Sequence, residues 1–332
     1  MSDTNPFETF PRSGEFRPSE VWPDDDGFND GGSVPVAKSP DQVRWWTPLA
    51  IAGVSLASFI LFSGVMSLIA LAVVHGEFNL ALLRDPASFA AVSESRIGLF
   101  LIVVLPQMAL VAPCILAAFL SPEPTRERLG LVSGHWPVWT WFAAAAATPF
   151  VGMVSGLVVS LFLDQSETLE QMSGIFRNHG QNGFLIPLAL MIGATPAICE
   201  ELLFRGYVQT RLVKCFGPLL GIFVASLLFA AFHIDPVHVV AVLPLGLFLG
   251  WVSWQSGSLF PAMLGHFVNN VISVVAVVLA PEGEPDMLAL PAVAFSLTIL
   301  FGGVAGLASV SVASLLYGRP QSEGAGVATS GG

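Results

Sequence analysis

The sequence predicts an all-α, polytopic membrane helix bundle of about eight transmembrane helices. Hydrophobic residues make up 54% of the 332-residue chain and charged residues only 11%, whereas a soluble domain is usually about a quarter charged. Mean hydropathy is +0.72. Apolar runs of about 20 residues, long enough to cross a hydrocarbon core, recur along most of the chain.

Residues 1–44 hold nine acids, among them Asp24, Asp25 and Asp26, against four bases, in a Pro/Gly/Ser-rich setting without periodicity. They read as a disordered acidic tail on the cytoplasmic side, not as a secretory signal, which needs a basic start and a short apolar run. Two N-terminal spans, 46–75 and 97–120, fall within residues 45–125. Residues 126–282 form a core with spans 137–163, 184–206, 216–234, 237–254 and 259–280. A last span, 288–317, lies in 283–317, and 318–332 read as a flexible tail. Trp45, Trp46, Trp136, Trp139 and Trp141 sit at span edges, where an aromatic belt is expected.

The net charge of −11 excludes nucleic acid as a partner, since nucleic-acid binding needs a basic surface. Cys114, Cys199 and Cys215 are scattered in or beside apolar segments. They read as small hydrophobes, not as a disulfide framework or a cysteine zinc site. Orientation follows Lys and Arg. With the N-terminus inside, the inner segments hold Arg12, Arg17, Lys38, Arg44, Arg126, Arg128, Arg211, Lys214 and Arg319, and the outer loops hold Arg84, Arg96 and Arg177. Both termini are therefore expected in the cytoplasm, in an integral, multi-pass protein of the cell inner membrane.

A charged side chain at mid-membrane costs at least about 2.5–3.5 kcal/mol, and such groups usually mark function. Here they concentrate on four spans. Glu200, Glu201 and Arg205 lie on 184–206, His233 near the end of 216–234, His238 at the start of 237–254, and His266 with Asn270 on 259–280. The other four spans carry essentially none. Glu201 and Arg205 are four residues apart, share a helix face and read as a supporting ion pair. Glu200 points about 100° away. Its neighbours at the pairing positions are Leu203 and Phe204, with Pro196 and Ala197 behind. A carboxylate without a local cation suits a general base or acid.

His233 follows Glu200 by 33 residues, with Gly217-Pro218 midway, so an antiparallel hairpin brings the two level. Counting from the membrane surfaces instead puts them at opposite ends of their spans, unless the 206–218 hairpin projects or the second arm is re-entrant. His266 and Asn270 share a helix face. A carboxylate and a histidine can hold and deprotonate water, while a second histidine and an amide can donate to a developing oxyanion. Each residue also has a plain structural use. Membrane His and Asn often only tie helices together, Asn269 beside Asn270 among them, and His238, without a polar partner in its own span, reads as structural. The combination points to attack of water on a carbonyl.

The motifs Glu200-Glu201-x-x-x-Arg205, Phe229-x-x-x-His233 and His266-x-x-x-Asn270 resemble the CPBP family of intramembrane proteases, the CAAX proteases and bacteriocin-processing enzymes, also called Abi or CAAX prenyl protease 2-like. The resemblance covers roughly residues 130–280, with Glu127–Leu131 as a lead-in. It implies a helical membrane endopeptidase in which Glu200 activates water, His233 assists, His266 and Asn270 hold the oxyanion, and Glu201 and Arg205 support them. It leaves metal use open: Glu200, His233 and His266 could supply three ligands to a divalent ion such as zinc, or the glutamate could act on water alone. The implied partners are a peptide or protein substrate at the membrane, possibly CAAX-like or a leader peptide, and the lipid bilayer. Two other classes fit the sequence: a non-enzymatic immunity or scaffold protein that keeps the fold, and an ion-coupled transporter. Inverted halves with matching broken helices, the mark of many transporters, are not evident.

Overall fold

The computed structural model describes residues 44–77, 79–164, 166–280 and 290–318. The expected tails, 1–44 and 318–332, fall outside these residues except for Arg44 and Gly318. Among the described residues the fold is all helical. The order is α1 (Trp46–His75), a 3-10 turn (Leu80–Arg84), α2 (Pro86–Glu94), α3 (Arg96–Phe119), α4 (Thr125–Arg128), α5 (Val138–Ser160), α6 (Glu167–His179), α7 (Leu185–Glu201), a π-helical stretch (Leu202–Gln209), α8 (Thr210–Ala231), α9 (Pro236–Ser256), α10 (Phe260–Leu279) and α11 (Leu290–Tyr317).

Local chemistry sets the boundaries. The Asp85 side chain accepts from the Ala87 N–H ahead of Pro86, and Ser95 accepts from the Gly98 N–H to open α3. Asp235 does the same for α9 through the His238 N–H, with Pro236 at the first helical position, and Gly257 closes that helix at φ 67°. These are ordinary caps: a short polar side chain satisfies an orphan donor at the start, and glycine takes the left-handed residue at the end.

Seven helical runs are long and apolar enough to cross a membrane. They take in all eight expected spans, because 184–206 and 216–234 belong to one 65-residue run, Glu167–Ala231. That run is interrupted at Asn182-Gly183 (Gly183 φ 80°) and at Gly217 (φ 79°, ψ 170°), which precedes Pro218. Only glycine takes such a backbone without strain. The first arm, from Leu185 to Phe216, is about 48 Å long at helical rise, well over the hydrocarbon thickness of about 30 Å. The arm that carries Glu200 thus overruns its expected span before it turns.

Lipid tails are as apolar as leucine, so membrane helices associate through close packing and hydrogen bonds. On α9, Gly246 and Gly250 admit the π-helical stretch. Arg205 Nη2 donates to Gly246 O at 3.0 Å and Gln209 Nε2 to Gly250 O at 2.9 Å. A Cβ on Gly250 would lie 2.6 Å from Gln209 Oε1. The exterior stays apolar, with Leu219 and Leu315 each 87% exposed, which suits a lipid-facing surface. Two buried clusters flank the centre. One joins α1, α3, the π-helical stretch and α8 around Phe204 and Phe229; the other joins α3, α7 and α10 around Leu188 and Val274. The polar residues lie between them.

Candidate active site

Glu201 is fully buried and its Oε1 accepts two hydrogen bonds, from Arg205 Nη1 at 2.8 Å and from His266 Nδ1 at 2.9 Å. The expected Glu201–Arg205 pair is therefore present, and His266 joins it from a third helix. A carboxylate oxygen can only accept, so Nδ1 of His266 carries a proton and only Nε2 is left for other partners. Arg205 is 1% exposed, and its guanidinium carbon stands 4.2 Å from the centre of the Phe229 ring.

Glu200 faces a different space. One carboxylate oxygen accepts from Gln107 Nε2 at 3.3 Å, and the other is buried without a partner among the described residues. Glu200 and His233 line the same two cavities, one of about 170 Å³ with Phe59, Gln107 and Phe232, and one of about 470 Å³ that also takes in His238, His266, Asn269 and Asn270. The hairpin around Gly217 thus brings Glu200 and His233 to one site, as their spacing predicts. His233 donates Nδ1–H to Phe229 O at 3.0 Å, a bond back from the turn to the end of α8. A carbonyl can only accept, so Nε2 of His233 keeps the lone pair that could hold or deprotonate a water.

Asn270 donates Nδ2–H to Ile192 O at 3.2 Å and accepts from Asn269 at its Oδ1. Pro196 lacks the N–H that would otherwise reach Ile192 O along α7. One of the two Asn270 amide hydrogens therefore repairs a helix, and one is left.

Two neighbours differ from the sequence reading. His238 is no isolated structural histidine: its ring meets His233 edge-on with centres 4.5 Å apart, because the turn between α8 and α9 is only four residues long. Within that turn Ile234 sits at φ 64°, a left-handed backbone that is an outlier for a β-branched residue. Gln107 lies midway along α3, whose one charged residue is Arg96 at its start. An uncharged amide costs an apolar helix far less than a charge, and its place beside Pro106 was the only available signal.

The cavity is roofed by α6. Leu169, Met172, Ile175 and Phe176 project into its lining, and Ser166 caps that helix. The hydrogen bond from the His238 backbone N–H, followed by that from the Ser166 hydroxyl, holds the Asp235 carboxyl below the usual carboxylate range.

Among the described residues no three His, Cys, Asp or Glu side chains group as candidate ligands. Glu200, His233 and His266 share a cavity without converging on one point, and Nδ1 of His266 is already engaged by Glu201.

Residues 182–272 match the family model described as Type II CAAX prenyl endopeptidase Rce1-like. This segment, about a quarter of the chain, is similar to that family. It includes Glu200, Glu201, Arg205, His233, His238, His266 and Asn270, so all three motifs lie inside it. Gln107 and the α6 roof lie outside it, as additions from flanking parts of the chain. A curated relative, "Uncharacterized protein YpbD" of Bacillus subtilis (strain 168), is 31% identical over 91 residues, which are 26% of this chain and 44% of that protein. The match thus spans less than half of that relative's length. No solved structure matches the chain.

Proposed function

We propose that the chain is an intramembrane endopeptidase that hydrolyses a peptide bond of a membrane-associated substrate. The observation that carries this reading is the shared cavity: Glu200, with one carboxylate oxygen unpartnered, faces His233, His266 and Asn270 across about 470 Å³. The Rce1-like segment supports it.

In this reading a water sits between the Glu200 carboxylate and Nε2 of His233. Glu200 takes a proton as the water oxygen bonds to the scissile carbonyl carbon. The remaining Asn270 amide hydrogen donates to the resulting oxyanion. His266, held by Glu201 through Nδ1, turns its Nε2 edge toward the same oxyanion. The C–N bond then breaks as the proton held by Glu200 passes to the leaving amine. No step runs through a metal. Apolar side chains from α3, α6 and α10 line the rest of the cavity, which favours an apolar peptide segment as substrate.

The test is Glu200→Gln and His266→Ala in a cleavage assay on membrane-reconstituted protein. Each is expected to lower turnover by about 10²-fold or more, and normal turnover in either sinks the mechanism. A phenotype that survives both substitutions at equal expression would identify a non-enzymatic role instead.

A further inference from the structure

A third cavity, of about 330 Å³, opens beside α4, the start of α8 and the end of α9. It lies on the other side of the π-helical stretch from Glu200 and uses none of the residues proposed for hydrolysis. Arg205 also lines it, and its charge is already matched by Glu201.

The remaining charges on the wall are three cations, Arg128, Arg211 and Lys214, against two carboxylates, Glu123 and Glu127. Glu123 is shared, 3.2 Å from Arg128 and 3.7 Å from Lys214. Arg211 is only 4% exposed and has no carboxylate at ion-pair distance among the described residues. Its Nη1 donates to Tyr207 O at 2.7 Å and to the Thr210 hydroxyl at 3.3 Å. Its guanidinium carbon lies 3.4 Å from the Tyr207 ring centre. The Nε atoms of both Arg211 and Arg128 are buried without a hydrogen-bond partner among the described residues.

A buried guanidinium without a counter-ion is costly, and an anion in the adjoining space relieves that cost. Arginine forks match phosphate oxygens in pairs. The level in the membrane also fits. Trp254 lines the cavity, and Trp136 stacks edge-on against Trp251 at the same end of the bundle, with ring centres 6.3 Å apart. Tryptophan collects where headgroups meet the hydrocarbon.

We propose that this cavity binds a phosphate group, with Arg211 as its principal ligand and Arg128 and Lys214 at the mouth. The headgroup of an anionic phospholipid and free phosphate share this chemistry, and the experiment separates them. Full-length protein, stripped of lipid in detergent, is titrated with phosphatidylglycerol, with inorganic phosphate, and with diacylglycerol, which has no phosphate. Binding is followed by native mass spectrometry and by the thermal midpoint. The expected result is saturable binding of phosphatidylglycerol with a raised midpoint and none with diacylglycerol. Inorganic phosphate that competes with the lipid supports the same site with a soluble ligand. Arg211→Gln is expected to weaken binding about tenfold, the loss of one charge-assisted contact. Because Arg211 is buried and its variant could misfold, the exposed Lys214→Gln serves as the second test, with a smaller loss in the same direction. Equal uptake of phosphatidylglycerol and diacylglycerol, or unaltered binding by both variants, overturns the proposal.

Discussion

Asn270 donates a hydrogen bond to the backbone carbonyl of Ile192, the acceptor that Pro196 leaves free four residues further along α7. The bond joins two helices and repairs one of them, so Asn270 has a structural task beside its proposed chemical one. Asn270→Ala should destabilise the protein by about 1 kcal/mol and lower turnover. In a Pro196→Ala background the Ile192 carbonyl regains an N–H along the helix, so the stability cost of Asn270→Ala should shrink while the turnover loss persists. Unfolding midpoints and single-turnover rates of the four proteins check this.

Glu201 holds two partners on one oxygen. Glu201→Gln leaves Arg205 buried without a counter-ion, and removing one member of a buried pair costs about 3–5 kcal/mol. The expected outcome is low yield and a greatly lowered unfolding midpoint. His266→Ala should cost much less stability, because the Glu201–Arg205 pair survives it. A comparison of midpoints in detergent distinguishes the two.

Gln107 reaches Glu200 from a helix outside the Rce1-like segment. If it positions the carboxylate, Gln107→Leu should lower kcat by about tenfold, the equivalent of one hydrogen bond, and leave KM nearly unchanged. Gln107→Asn, with a shorter reach, should fall between. A change confined to KM would point to substrate contact instead.

Because the candidate ligands do not group around one point, turnover should survive exhaustive dialysis against a chelator. Elemental analysis should find well under one zinc per chain. Loss of activity on chelation, restored by zinc, would require rearrangement of His233 and His266.

Asp235 caps α9 with its carboxylate, and the hydrogen bond from the His238 backbone N–H lowers its pKa. A group whose folded value is depressed adds stability above its unfolded value and loses it as pH falls through the folded one. Acid should therefore weaken the α8–α9 turn below about pH 4. Asp235→Asn keeps a cap and should remove this part of the acid dependence, which unfolding midpoints between about pH 3 and 7 measure.

Much of this organisation is legible in the residues themselves. Apolar run length gives the spans, and the rarity of charge draws attention to Glu200, Glu201, Arg205 and the histidines. The Gly217-Pro218 break halfway along a 33-residue spacing brings Glu200 and His233 level. The bond from His266 to Glu201 is not legible, because a one-dimensional pattern fixes which residues share a helix face but not how two helices are rotated against each other. Gln107 hides for an energetic reason, since a lone amide is cheap enough to be unremarkable in an apolar helix. The contact of His238 is not visible within its own span, because its partner His233 stands in the turn that precedes it. The α6 roof is a short amphipathic helix that no search for spans detects.

Glu200 borders both a slot of about 170 Å³ walled by Phe59, Phe204, Phe229 and Phe232 and the larger space under α6. The carboxylate thus has two approaches of unequal size. In the proposed reaction a peptide would fill the larger one, while the narrow one is wide enough for a molecule as small as water. Reactant and solvent can then arrive by separate doors, and a bound chain does not have to leave before the base is wetted again.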